Sequence, residues 1–204
     1  MLSLLNPETL LADGGLLILA AIVFAESGLL VGFFLPGDSL LFIAGFLASP
    51  AGGHKLSSIV AVVAVASVMA IVGDQVGYLI GRKAGPAIFD KPKSRLFDPA
   101  HVTKAHAFFE RHGSRTIVLA RFVPIVRTFA PVVAGVGDME YRTFVRYNVI
   151  GGLGWGAGVP LLGYFLGRID VVKNNIEAAI LGIVFLSLLP VILEFVKHRR
   201  GRAH

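Results

Sequence analysis

An apolar stretch over residues 14–48 is interrupted near its middle by a proline and carries two acids. The acids are Glu26 and Asp38, and the interruption is Pro36 followed by Gly37. A charged side chain at bilayer depth costs roughly 2.5–3.5 kcal/mol on insertion scales, and proline removes a backbone hydrogen-bond donor. Non-helical backbone is tolerated at that depth only where protein or water covers it. The stretch therefore predicts a re-entrant hairpin of two short helices, with its charges near the tip; a full crossing of the membrane by residues 14–35 is the alternative.

A second stretch, residues 116–136, repeats this pattern with the opposite charge. Arg121 and Arg127 lie on either side of Pro124, and we predict a second re-entrant hairpin here. Four charges in otherwise lipid-soluble sequence are more than assembly needs, so we interpret the two acids and the two arginines as a functional site. A static cluster of ion pairs that holds the hairpins together is the alternative.

Composition places the chain in a membrane. Of its 204 residues, 55% are hydrophobic and 16% are charged, and mean hydropathy is +0.75, whereas about 25% of a soluble domain is charged. The absence of cysteine excludes disulfides, thiolate catalysis and cysteine metal sites. The first 13 residues contain no Lys or Arg, so we expect no secretory signal.

Three further segments predict transmembrane helices of ordinary length: residues 56–81, 147–167 and 176–196. The second of them is uncharged and rich in glycine. Two pairs of its glycines are spaced four residues apart, which is typical of close helix packing in lipid. These pairs are Gly152 with Gly156 and Gly154 with Gly158.

Positive charge predicts the orientation. Eight Lys and Arg residues lie between residues 82 and 115, so we expect residues 83–115 to form a cytoplasmic loop. Charged residues around Phe108 and Phe109 predict an amphipathic interfacial helix in that loop, which explains its histidines better than a metal site does. Arg142 and Arg146 are expected on the same side, bound to anionic headgroups.

An internal repeat completes the predicted fold. Residues 77–82 (GYLIGR) are matched by residues 163–168 (GYFLGR), 86 positions later. Each copy follows a proline-broken stretch, which gives repeat units over residues 14–82 and 116–168. Because each unit crosses the membrane once, the second is inverted and the hairpin tips meet near the midplane. We predict an all-α polytopic membrane protein with this inverted repeat and a further C-terminal transmembrane helix.

Several motifs resemble the DedA family, also called SNARE-associated or VTT-domain proteins. They lie within residues 16–168 and include residues 121–128 (RFVPIVRT), 108–113 (FFERHG) and 73–78 (GDQVGY), together with the acidic hairpin. The resemblance implies a multi-pass protein of the cytoplasmic membrane with paired re-entrant hairpins. Bacterial members are implicated in proton-motive-force-dependent lipid translocation, especially of undecaprenyl phosphate, and eukaryotic relatives are lipid scramblases. It also implies that Glu26, Asp38, Arg121 and Arg127 are essential.

The residue chemistry leads to a similar expectation. Two arginines offer planar forks of donors that can bind a lipid phosphate. An acid beside a site that fills and empties can change its protonation in each cycle. Asp74, near the end of the 56–81 helix, is either a polar helix contact or a third proton-coupling acid. We therefore expect proton-coupled transport of an anionic lipid such as undecaprenyl phosphate, with membrane lipids and protons as partners.

Other functions remain open at this stage. A proton-coupled exchanger of small cations or drugs would use the acids as its binding groups, although a cation site normally avoids arginine. An intramembrane lipid phosphatase has only the Thr128 hydroxyl beside the arginines and no histidine at membrane depth, so we expect no enzyme. No cofactor is indicated, and the basic loops report membrane orientation and not nucleic-acid binding.

Overall fold

The computed structural model describes residues 7–29, 37–53, 56, 58–89, 113–122 and 124–169. All regular structure in these residues is helical: α1 Pro7–Gly28, α2 Gly37–Leu47, α3 Ile59–Phe89, α4 Thr116–Ala120, α5 Pro124–Val136 and α6 Tyr141–Leu166. The all-α prediction is confirmed for this part of the chain. The predicted helix over residues 176–196 and the predicted amphipathic helix around Phe108 lie outside the described residues.

The acidic stretch contains one helix on each side of its predicted break. Helix α1 is kinked at Gly15, whose φ of +54° is a left-handed conformation that favours glycine, and its apolar part is Gly15–Gly28. Helix α2 begins at Gly37 and carries Asp38 in its first turn, where a negative charge favours the helix dipole. The two short helices are present, and their re-entrant path through a bilayer remains a prediction.

The basic stretch breaks slightly earlier than its proline suggests. Helix α4 ends at Ala120, Arg121 and Phe122 form a turn, and Pro124 is the first residue of α5. Proline is favoured at the first position of a helix because that position needs no backbone donor. Arg121 therefore lies in the break, and Arg127 lies in the first turn of the next helix.

The two longest helices, α3 and α6, are apolar enough to cross a membrane over Ile59–Lys83 and Tyr141–Leu166. Both differ from the predicted bounds of 56–81 and 147–167. Helix α3 continues to Phe89, so residues 83–89, which were predicted as part of the loop, are helical. Helix α6 begins at Tyr141 because Phe144 is fully buried and anchors this first turn, while Arg142 stays exposed.

Each of the two long helices packs against shorter helices of the acidic and basic stretches, and the inverted repeat stays a prediction. Helix α3 packs against α5 as well as α1, and α6 packs against α2. Glycines allow backbone contact at both crossings, because an added Cβ would collide with the main chain of the facing helix. The contacts are Gly81 with Val132, Gly135 with Tyr78, Gly163 with Phe42 and Gly45 with Pro160.

One of the two predicted glycine stripes on α6 is a helix contact. A Cβ at Gly156 would lie 2.7 Å from Ser67 Cα of α3, and Gly152 faces Ile71 of the same helix. At Gly158, by contrast, nothing in the described part of the chain lies within 4 Å. Close packing is therefore confirmed for Gly152 and Gly156, whereas for Gly154 and Gly158 it stays a prediction, because four-residue spacing alone does not say which face of a helix meets its neighbour.

Large apolar side chains cover the outside of the helices. Leu17 of α1 is 83% exposed and Val60 of α3 is 74% exposed. Ile150, Leu162 and Phe165 of α6 are also more than half exposed. A soluble monomer rarely exposes so much contiguous apolar surface, so these faces indicate contact with lipid.

Candidate functional site

Arg127 joins the acidic and basic stretches. Its Nη1 donates a hydrogen bond to Asp38 Oδ1 at 2.6 Å, and its Nη2 donates to Glu26 Oε1. One guanidinium group thus connects the end of α1, the start of α2 and the first turn of α5. The side chains of Arg127 and Asp38 are 10% and 18% exposed. We call Glu26, Asp38 and Arg127 the Arg127 site.

The Glu26 carboxylate lies directly against the backbone of Gly37. A Cβ at Gly37 would overlap this carboxylate, so the glycine after Pro36 leaves room for the acid. Oε2, the second oxygen of Glu26, is buried and has no hydrogen-bond partner among the residues that the structure describes. A buried polar atom without a partner is costly, and it indicates a position where a proton or a ligand atom can be accepted.

Arg121 forms a second ion pair in the core. Its Nη1 donates to Asp74 Oδ2 at 2.6 Å and to Asn148 Oδ1 at 2.8 Å. The Asn148 amide donates in turn to the carbonyl of Ile71 at 3.1 Å, so Asn148 is fixed between α3 and α6. The side chains of Arg121 and Asp74 are only 5% and 7% exposed. We call Asp74, Arg121 and Asn148 the Arg121 site.

Helix α6 closes around the Arg121 side chain. A Cβ at Gly151 would lie 3.4 Å from Arg121 Cδ, and one at Gly152 would lie 3.6 Å from Nη1. The glycines that follow Asn148 therefore allow the guanidinium group to fit between α4 and α6. Part of the glycine content of α6 is therefore explained by the space that the Arg121 side chain needs.

Trp155 lies between the two sites. Its Nε1 donates to Asp38 Oδ1 at 2.8 Å. Its ring centroid is 4.6 Å from Arg127 Cζ and 5.9 Å from Arg121 Cζ, within the range of cation–π attraction. The residue is buried at 3% exposure. A single aromatic ring therefore contacts both arginines and one of the acids.

The charges of the two sites do not balance. Among the residues that the structure describes, three carboxylates face two guanidinium groups, so full ionisation of these five groups leaves one negative charge in excess. Buried charges are stable only when they are paired and hydrogen-bonded. One proton or one monovalent cation would neutralise the cluster.

The structure brings together all five residues predicted for the site: Glu26, Asp38, Asp74, Arg121 and Arg127. Asp74 is an ion-pair partner of Arg121, and its proton-coupling role stays a prediction. The sequence interpretation missed Asn148 and Trp155. Two signals could have found them, because Asn148 is the one amide in the span over residues 147–167 and Trp155 is the one tryptophan of the chain.

The helices, the outward apolar faces and the buried charge cluster define a helical membrane protein. The chain matches the VTT domain family over residues 35–165. It is 49% identical to protein DedA of Escherichia coli over 91% of this chain and 84% of that protein. An uncharacterized membrane protein of Mycobacterium leprae is 49% identical over 93% of this chain and 83% of its own length.

A more distant relative is the inner membrane protein YghB of Salmonella typhimurium, 35% identical over 86% of this chain and 77% of that protein. No solved structure gives a significant match. These similarities confirm the resemblance drawn from the arginine and acid motifs. The chain belongs to the DedA family of VTT-domain membrane proteins.

Proposed function

We propose that this protein translocates an anionic lipid across the cell membrane and that this movement is coupled to protons. Undecaprenyl phosphate is the lipid that we expect, and related phospholipids are the nearest alternatives. The observation that carries the proposal is the Arg127 site, in which one guanidinium group binds two carboxylates from different helices. A phosphate group can accept the hydrogen bonds that Arg127 donates to these two carboxylates.

The phosphate group would compete with the carboxylates for Arg127. A guanidinium group binds phosphate and carboxylate oxygens with the same planar fork. Arg127 and Asp38 are the more exposed members of the two ion-pair sites, so we place the first contact with the headgroup there. Arg121, 5.9 Å from the Trp155 ring, would add positive potential beside the bound phosphate, while the lipid tail stays against the apolar outer faces.

Protons would balance the exchange. When a phosphate binds to Arg127, the carboxylates of Glu26 and Asp38 lose the cation that they share. An unpaired buried carboxylate is strongly unfavourable. Protonation of a carboxylate removes that cost. Return of Arg127 to the acids would release the proton and the lipid together, which couples lipid movement to a pH gradient.

A proton-coupled exchanger of small cations or drugs is the second candidate. The excess negative charge of the cluster and the unpartnered Glu26 Oε2 favour it. Against it, any cation at Glu26 would face the Arg127 guanidinium, which is already bonded to that carboxylate. We therefore rank lipid phosphate above a cation as the ligand.

Reconstitution into phosphatidylcholine liposomes tests the proposal. Labelled undecaprenyl phosphate, phosphatidylethanolamine and phosphatidylglycerol are compared with and without a pH gradient. We expect the phosphate lipid to cross fastest, its rate to follow the gradient, and the recovered lipid to be chemically unchanged. Movement of a monovalent cation without any lipid movement would instead support the exchanger, and a dephosphorylated product would indicate an enzyme.

A further inference from the structure

The Oδ1 atom of Asp38 accepts hydrogen bonds from two different elements. Arg127 Nη1 of α5 donates at 2.6 Å, and Trp155 Nε1 of α6 donates at 2.8 Å. A ligand that binds Arg127 removes the first donor and leaves the second in place. Asp38 therefore keeps a hydrogen bond to its charged form after the arginine has moved.

Glu26 is placed differently. Oε1 accepts from the same Arg127, and the buried Oε2 has no hydrogen-bond partner in the described part of the chain. Loss of Arg127 would leave this carboxylate with an unsatisfied charge in a site of 3% exposure. The two acids are thus placed differently for the same event, because Asp38 keeps the indole N–H of Trp155 and its side chain is 18% exposed, against 3% for Glu26.

The surrounding charges do not remove this difference. In the described part of the chain, the titratable and charged groups around the two acids are Arg127 of α5, Arg121 in the turn after α4 and Asp74 of α3. Asp74 is already paired with Arg121 at 2.6 Å. The Trp155 ring contacts both guanidinium groups, which fixes the ring plane and hence the direction of its N–H.

We propose that Trp155 is a positioning residue that keeps Asp38 ionised and in place while Arg127 binds the anionic ligand, so that the exchanged proton goes to Glu26. This inference rests on the proposed function, because it needs Arg127 to bind an anion. It assigns unlike roles to two acids that look equivalent in sequence. Asp38 is the fixed acid, and Glu26 is the acid that changes protonation.

Fluorescence tests the contact without any transport assay, because Trp155 is the one tryptophan of the full chain. Asp38→Asn and Arg127→Lys should each shift the emission spectrum of the protein in phosphatidylcholine nanodiscs. Arg168→Gln is the matched control, since Arg168 lies 4.7 Å from the Tyr164 ring and is exposed; it should leave the spectrum unchanged. Unchanged spectra in both site variants would overturn the proposal.

The same fluorescence detects ligand. Nanodiscs with undecaprenyl phosphate should change the emission, and nanodiscs with neutral undecaprenol should not. An identical response to both lipids would overturn the role of Trp155 even if transport is robust. Conversely, a phosphate-dependent response in a protein that moves no lipid would refute the proposed transport. It would still support the binding of a phosphate to Arg127 in place of the carboxylates.

Substitution of the ring separates positioning from packing. Trp155→Phe keeps an aromatic ring for the arginines and removes only the N–H, so it should raise the apparent KM for the lipid about tenfold with little change in kcat. Trp155→Leu also removes the cation–π contacts and should lower kcat as well. A Trp155→Phe variant with wild-type KM, whether or not its melting temperature falls, would contradict the positioning role.

Discussion

The Arg121 site and the Arg127 site use the same chemistry and differ in how completely they are satisfied. Arg121 faces one carboxylate and one amide, the amide is itself held by a backbone carbonyl, and glycines of α6 enclose the side chain. Arg127 faces two carboxylates, and one oxygen of Glu26 has no hydrogen-bond partner among the residues that the structure describes. The Arg121 site is balanced and closed, whereas the Arg127 site carries excess negative charge.

This difference in charge balance indicates that one site of the cluster is mainly structural and the other mainly functional. A balanced pair loses stability when either partner is removed, because the remaining charge is stranded. A site with a surplus acid can lose one negative charge and remain paired. We therefore infer that Arg121 with Asp74 mainly holds α3, α6 and the turn after α4 together, and that Arg127 with its acids mainly binds and exchanges.

The largest expected effect is on stability, at the balanced site. Asp74→Asn strands Arg121 in the core and should lower the free energy of unfolding by about 3–5 kcal/mol. Glu26→Gln removes the surplus charge and leaves Arg127 paired with Asp38, so its melting temperature in detergent should stay near that of the wild type. Equal destabilisation by the two variants would remove the distinction between the sites.

A lysine scan of the two arginines should give the reverse order for transport. Arg127 uses two nitrogens to reach two helices, which a single ammonium group cannot do, so Arg127→Lys should lower transport roughly 100-fold with normal folding. Arg121 uses one nitrogen for both of its partners, so Arg121→Lys should cost about tenfold. Full activity of Arg127→Lys would mean that only its positive charge matters.

Asn148 gives a smaller effect at the balanced site. Asn148→Ala removes an acceptor from Arg121 and a donor from the Ile71 carbonyl, and we expect a loss of about 2 kcal/mol in unfolding free energy. Transport per folded molecule should change little. A large loss of transport with unchanged stability would show instead that Asn148 takes part in transport.

The smallest effect concerns the crossing of α3 and α6, the helices that carry Asp74 and Asn148 of the Arg121 site. Gly156→Ala would place a Cβ 2.7 Å from Ser67 Cα and should destabilise the fold by about 1–2 kcal/mol. Gly158→Ala on the same helix meets open space and should change stability by less than about 0.5 kcal/mol. Thermal melts of this matched pair measure how closely α3 and α6 must approach.

The sequence was sufficient for the membrane class, the break points and all five charged residues of the cluster. It could not pair them, because Arg121 and Asp74 are 47 residues apart and Arg127 and Glu26 are 101 apart, and no local pattern records such contacts. Asp74 stayed ambiguous for this reason. Asn148 and Trp155 were missed because an amide and an indole in an apolar span look like ordinary helix residues until their partners are known.

The role of Gly37 illustrates the same limit. Its place after Pro36 indicated a break in the helix, which is a local property. Its contact with the Glu26 carboxylate depends on the packing of α1 against α2, which only the fold supplies.

The proposed transport mechanism depends most on Glu26 as the group that takes up and releases the proton. The direct test is pH-gradient-driven movement of undecaprenyl phosphate in liposomes, measured per folded molecule for the wild type, Glu26→Gln and Asp74→Asn. We predict that Glu26→Gln is stable and insensitive to the gradient, while the folded fraction of Asp74→Asn still responds to it. A Glu26→Gln protein that moves lipid with the wild-type response to the gradient would contradict the account.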